Sequence, residues 1–173
     1  MKVPQGTMPE KCASRDKMRT AITEPYLKGG YLWATDSYSL TRIPVEVEDG
    51  DVDGFVTADA LKMARKASGK NRPAIIGANG SQTVGEVTMP RPELGEFPNT
   101  EQLIPSDDRE EIVIGLNPKL LLNIAQALGA DTVRIRIDAD SPNMKPYVIE
   151  ALQGSSLKGD DRMGLLMPVR LPR

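Results

Sequence analysis

The sequence predicts an α+β fold built from a repeated strand–helix–strands unit, and three observations carry that reading. Gly (15) and Pro (14) are frequent among the 173 residues and aromatics make up only 4%. Such a composition favours short elements joined by turns over a helical bundle. Only two segments combine the period and the caps of an α-helix. The strand-to-helix opening Phe55-Val-Thr-Ala-Asp-Ala-Leu also has an equivalent, Ile114-Gly-Leu-Asn-Pro-Lys-Leu, about 60 residues later. Residues before Gly54 read as the strand-rich end of a third, shortened unit. The length suits one substantial core or two small ones, and the boundary falls after Pro105, giving regions 1–105 and 106–173.

Taken in order, a short helix is placed near Pro9–Ser14. Tyr31–Thr35 and Ser39–Ile43 alternate with period two around a turn at Asp36-Ser37 and read as strands. The first α-helix spans 57–68, TADALKMARKAS. Thr57 suits the N-cap, Asp59 sits where the helix dipole favours an anion, and Gly69 ends it. Pro73–Ile76 and Thr83–Thr88 are strands flanking Asn79-Gly80, a hairpin signal. Glu111–Ile114 is a strand leading into the second helix, 117–128, where Asn117 caps, Pro118 takes the first helical position and Gly129 follows as the stop. Thr132–Ile137, Tyr147–Ala151 and Leu165–Leu171 are the closing strands.

Composition removes several kinds of chemistry. Lys plus Arg total 22 against 24 Asp plus Glu, a net charge of −2, so a wholly basic nucleic-acid binder is excluded and a locally basic one is not. The absence of His removes Ser-His-Asp and Cys-His catalysis, His-ligated zinc and haem from the chain acting alone. Cys12 alone forms neither an internal disulfide nor a cysteine metal cluster, which suits a reducing, cytoplasmic compartment. No stretch approaches the ~20 apolar residues of a membrane span. Carboxylates concentrate in acidic loops at 46–53 and 106–111 without the spacing of a divalent-metal site, so they read as solvated turns and not as the magnesium ligands of an enzyme. The expectation is a non-enzymatic protein with no catalytic residue, metal or cofactor.

The first helix separates sharply on a 100° wheel. Ala60, Leu61, Met63, Ala64 and Ala67 form the apolar arc, and Lys62, Arg65 and Lys66 form the other. With Lys70 and Arg72, residues 62–72 carry five positive charges and no negative one. The second helix is expected to bury Leu120, Leu121, Leu122, Ile124, Ala125 and Leu128, leaving a polar stripe of Lys119, Asn123 and Gln126. Cations and amides of this kind touch phosphate oxygens without reading bases.

Several strings, in order, resemble the bacterial DNA polymerase III beta sliding clamp. Ala13-Ser-Arg-Asp-Lys17 followed by Leu32-Trp-Ala-Thr-Asp-Ser-Tyr-Ser-Leu40 resembles that family's "ATDGYRL" strand–turn–strand and its lead-in. Gly95-Glu-Phe-Pro-Asn-Thr-Glu-Gln-Leu-Ile-Pro105 resembles its interdomain "GEFPDYxxxIP". Lys145-Pro-Tyr-Val-Ile149 and Leu165-Leu-Met-Pro-Val-Arg-Leu171 resemble its ending. The resemblance implies a DNA-clamp fold with helices on one face of antiparallel sheets. It also implies a homo-oligomeric processivity factor that encircles double-stranded DNA without regard to sequence, and a pocket for short peptides of DNA polymerase and the clamp loader. The implied DNA contacts are Lys62, Arg65, Lys66, Lys70, Arg72, Lys119 and Asn123. The implied peptide pocket is Ile22, Thr35, Leu40, Pro105, Leu165, Met167, Pro168, Val169, Arg170 and Leu171, where Leu, Val and a pliable Met suit a hydrophobic anchor.

Departures from the family are specific. Ser37 stands where the family has Gly, asking a less permissive residue to make a tight turn. Ser39 stands for Arg, and Asn99-Thr100 for Asp-Tyr. The family's chain has six strand–helix units and closes as a dimer, whereas two full units and a partial one are legible here, so a ring would need roughly four to six copies. The alternative is a clamp-like module, an adaptor or decoy, that binds clamp-recognition peptides or a clamp without forming a ring.

Overall fold

The computed structural model describes residues 1–69, 71–105, 111–152 and 162–169. The chain divides into two units, Met1–Ile104 and Pro105–Arg173. Unit 1 contains β1 (Lys2–Val3), 3-10 turns at Pro9–Cys12 and Thr20–Ile22, β2 (Tyr26–Lys28), β3 (Tyr31–Thr35), β4 (Leu40–Pro44), β5 (Gly54–Phe55), α1 (Ala58–Ser68), β6 (Ala74–Ile75), β7 (Ser81–Val84), β8 (Val87–Pro90) and a 3-10 turn at Glu101–Leu103. Unit 2 contains α2 (Pro118–Ala127), β9 (Thr132–Arg136), β10 (Tyr147–Leu152) and β11 (Met163–Leu166). All strand pairing is antiparallel. The sheets run β4-β3-β2-β5, β1-β6, β7-β8 and β11-β10-β9.

The repeat is fuller than the sequence predicts. Instead of a truncated first unit, β1, the 3-10 turns, β2, β3 and β4 follow the same order as β5, α1, β6, β7 and β8. The turn Pro9–Cys12 stands in the helix position because the chain folds back early, with the Ser14 amide bonding the Ile22 carbonyl at 2.8 Å. In unit 2 the order is α2, β9, β10, β11. Glu111–Ile114 forms no strand there, which corrects the expectation. Thr83–Thr88 is also not one strand. Gly85 (φ 60) opens a two-residue turn between Val84 and Val87, the type II′ geometry that glycine at the first position permits. The closing strand spans Met163–Leu166 and does not continue through Met167–Val169 as expected, since Pro168 has no N–H for a ladder; the end of the expected strand, Arg170 and Leu171, lies outside the described residues. The acidic loop at 106–111 lies, save for Glu111, outside the described residues.

Each unit has its own apolar core. In unit 1, Met1, Val3, Leu27, Leu32, Val56, Leu61 and Ile76 are buried together under α1. In unit 2, Tyr147, Ile149 and Leu166 form the centre, with Leu121, Ile124 and Leu128 of α2 packed against it. The first core includes an ionic tie. The α-ammonium of Met1 donates to the Ile76 carbonyl at 2.7 Å and pairs with Asp51 Oδ2 at 2.5 Å, while Asp51 also accepts the amides of Ala78 (2.8 Å) and Glu48 (2.9 Å).

That arrangement sets an acid limit. Burial pushes the Asp51 carboxyl up, but the α-ammonium and the two amides outweigh it and hold it below the ordinary carboxylate value. A folded-state pKa below the unfolded one adds stability that is present above about pH 4 and lost as pH falls through the folded value. We expect a urea midpoint that is level above about pH 5 and drops below about pH 4, with Asp51→Asn less stable at neutral pH and less sensitive to acid. Parallel acid profiles for the two proteins would contradict this assignment.

Candidate nucleic-acid interface and docking face

Helix α1 is held at its first turn by three side chains. Thr57 Oγ1 accepts the Ala60 amide at 3.1 Å, Glu24 accepts the Ala58 amide at 2.6 Å, and Gln82 Oε1 accepts the Thr57 amide at 2.9 Å. Gly69 (φ 78) turns the chain out of the helix. Ala60, Leu61 and Ala64 are buried and Met63 is partly so, whereas Ala67 is exposed, contrary to the predicted arc. The helix ends one residue later, and Ala67 and Ser68 of its last turn line an open cleft with Ile75 and Thr83.

Of the predicted phosphate contacts, Lys62 and Lys66 are exposed. Lys62 Nζ lies 3.2 Å from Asp59 one turn back, an exposed pair worth at most ~1 kcal/mol, and Lys66 has no ionic partner among the described residues. Arg65 differs. Its guanidinium turns aside, half-buried, to pair with Glu10 of the first 3-10 turn. Arg65, Lys66 and exposed Arg72 nevertheless surround one cleft of 320 Å³, shared with Gln5 and Met8. Lys70 lies outside the described residues.

Helix α2 is capped by Asn117, whose Oδ1 accepts the Lys119 amide at 3.0 Å. Lys119 and Asn123 are exposed, as the wheel predicts. Leu120 (49% exposed) and Leu122 (57%) are not buried as expected. The three-stranded sheet offers α2 one face only, and Leu121, Ile124 and Leu128 fill it.

The Asp36 turn in unit 1 is a closed hydrogen-bond network. Thr35 is buried because it builds the turn: its Oγ1 donates to the Ser39 carbonyl (2.7 Å) and accepts the Ser37 amide (3.1 Å). Asp36 Oδ1 accepts the amides of Ser39 (2.7 Å) and Tyr38 (2.9 Å) and the Ser39 hydroxyl (3.0 Å), which lowers its pKa. Ile22 is buried and Leu40 half-buried. Ser37 sits at φ 79, the sole non-glycine positive φ among the described residues, with its hydroxyl against Arg19. A left-handed non-glycine residue costs ~1 kcal/mol or more, so Ser37→Gly is expected to raise stability by about 1 kcal/mol in urea denaturation. A loss instead would show that the Arg19–Ser37 bond outweighs the backbone strain.

The rest of the predicted pocket lies in unit 2. Leu165 (59% exposed), Met167 (62%) and Val169 (45%) alternate with buried Leu166, and exposed Met163 extends the same period. They make an apolar stripe on the outward side of β11 that continues past its end, where the Val169 amide bonds the Gly115 carbonyl at 2.9 Å. Leu165 also lines a 400 Å³ cleft with Ile137, Pro146 and Val148, rimmed by Arg136, Asp138 and Lys145. Pro168 is half-buried and Pro105 exposed. Arg170 and Leu171 lie outside the described residues.

Arg91 escaped sequence reasoning. Its Nε donates to the Phe55 carbonyl (2.7 Å) and its Nη1 to those of Val52 (2.6 Å) and Ala78 (3.0 Å), clipping three segments of unit 1 together. An arginine one residue past a strand carries no local signal of such a role.

Among the described residues no group of three or more Cys, Asp or Glu side chains is placed to hold a metal, and no helix is long and apolar enough to cross a membrane. No protein-family model matches the chain, and no curated protein matches it. Among solved structures it is similar to the crystal structure of the DNA polymerase sliding clamp from Pseudomonas aeruginosa. The sequences are 18% identical, and the match covers 91% of this chain and 46% of that one with a TM-score of 0.56. This chain therefore has the sliding-clamp fold, in a form that spans about half the length of the clamp it matches.

Proposed function

We propose that the protein is a small DNA sliding clamp: a cytoplasmic, non-enzymatic homo-oligomer that encircles duplex DNA and carries peptides of polymerase and clamp-loader proteins. The observation that carries this reading is the clamp fold together with the outward cations of α1. A ring held on by topology needs only weak, sequence-independent phosphate contacts, and Lys62, Lys66 and Arg72 are suited to that task. Arg65 adds to the local field while bound to Glu10, and Lys119 and Asn123 offer one cation and one amide on α2. Lys70 is retained as a contact on sequence grounds.

For peptide binding each unit offers its own set of residues. Ile22, Thr35 and Leu40 come from unit 1. Pro105, Leu165, Met167, Pro168, Val169, Arg170 and Leu171 come from unit 2. Exposed alternate apolar side chains on a terminal strand favour capture of a hydrophobic anchor. Leu165→Ser with Met167→Ser is expected to weaken binding of a labelled clamp-recognition peptide at least tenfold without altering the circular dichroism spectrum. Unchanged affinity would exclude this face.

Three repeat units per chain, where the resembling family has six and closes as a dimer, require roughly four copies for a closed ring. Sedimentation equilibrium tests the ring directly: an assembly of about four 18.9 kDa chains is expected. The half length of the chain favours a second reading, a clamp-like adaptor or decoy that binds such peptides or a clamp as a monomer. A monomer at high concentration would replace the first reading with that one.

A further inference from the structure

We propose that Lys11, Arg15 and Lys17, on the segment that stands in the helix position of the first repeat, form a second contact for the phosphodiester backbone of duplex DNA. The inference rests on the DNA-encircling reading above and adds to it a surface that neither α-helix supplies. In the first repeat the chain between β1 and β2 holds 3-10 turns where the second repeat has α1. That stretch keeps the cations of a DNA-facing helix without the helix.

Four features support it. Lys11, Arg15 and Lys17 are all exposed, and none of their side chains has an ionic or hydrogen-bond partner among the described residues. Of the two carboxylates nearby, Glu10 is taken by Arg65, and Asp16 turns back to accept the Met18 amide at 3.0 Å. The segment is also anchored. Pro9 is buried, the first turn packs on β3 and β4, the Ser14 amide bonds Ile22, and Ser14 Oγ accepts the Asp16 amide at 3.1 Å.

Finally, the segment adjoins the basic face already described. The Glu10–Arg65 pair joins the turn to α1, and Gln5 and Met8 line the same cleft as Lys66 and Arg72. Lys11 follows Glu10 directly, so the charge of α1 continues onto the turn. Arg65 thereby acts as a structural tie that holds the two basic elements together.

The test measures binding of the full-length protein to a fluorescent, open-ended duplex by anisotropy over a salt series. Three proteins are compared: the wild type, a Lys11→Ala/Arg15→Ala/Lys17→Ala variant and a Lys62→Ala/Lys66→Ala variant. Each lost phosphate contact makes the slope of log K against log salt shallower by about 0.9. The triple variant should bind at least tenfold more weakly at ~0.1 M salt, with a slope shallower by about 2 to 3. A triple variant with wild-type affinity and slope, beside a weakened helix variant, overturns the inference and leaves the DNA-encircling reading standing. A wild-type protein that does not bind the duplex overturns both. Circular dichroism checks the fold, and Lys11→Gln/Arg15→Gln/Lys17→Gln gives the same comparison should the alanine variant unfold.

Discussion

Arg91→Ala is expected to lower the stability of unit 1 by about 3 kcal/mol, a large share of the 5–15 kcal/mol typical of a folded domain. One guanidinium satisfies carbonyls from three separate segments, at Val52, Phe55 and Ala78. Hydrogen bonds from a charged donor are worth ~1.5–3 kcal/mol each when the acceptor would otherwise be left unmade, although the exposed Val52 group can recover water. Burial lowers the Arg91 pKa, and nearby Tyr26, Asp51 and Asp53 oppose that shift, so the group stays charged at any pH where the protein folds.

The same site predicts a non-additive pair. Gly54 sits at φ 145, and a Cβ there would lie 2.9 Å from Arg91 Nη2, a buried atom with no hydrogen-bond partner. Gly54→Ala should cost clearly more in the wild type than in the Arg91→Ala background, where only backbone strain remains. Urea denaturation of the four proteins at one protomer concentration measures the coupling. Strict additivity would mean that the guanidinium can move aside freely.

What was legible in the sequence was what is encoded locally. Both helices carry their own signals, Thr57 with Gly69 and Asn117-Pro118 with Gly129, and both form within a residue or so of expectation. The strand pair around Asp36 was legible for the same reason, and Ser37 does occupy the strained position that its substitution for Gly implies. Features that depend on distant partners were not legible. β2 has three residues, too few to show a period, and exists because Tyr26 and Leu27 pair with β3 on one side and β5 on the other. Thr83-Val-Gly-Glu-Val-Thr88 is rich in β-branched residues and reads as one strand, yet Gly85 makes its middle a turn. A helical wheel places Arg65 on the polar side of α1 but cannot supply Glu10, 55 residues away in sequence, as its partner.

That partner decides how the basic face should be tested. Reversing Lys62, Arg65 and Lys66 together would place a carboxylate against Glu10 at a half-buried site and so confuse loss of folding with loss of binding. Lys62→Glu with Lys66→Glu avoids this, because both side chains are exposed and only the Asp59 pair is lost. Stability should fall by no more than ~0.5 kcal/mol, mostly from the new like-charge contact with Asp59. Retention on duplex DNA should fall at least a hundredfold near physiological salt, since two attractive phosphate contacts become repulsive ones. The loss should persist with DNA of any sequence and shrink as salt screens the charges. A double reversal that folds, assembles and stays on DNA as the wild type does would mean that α1 faces away from the duplex, and Lys62 and Lys66 would then be struck from the phosphate contacts.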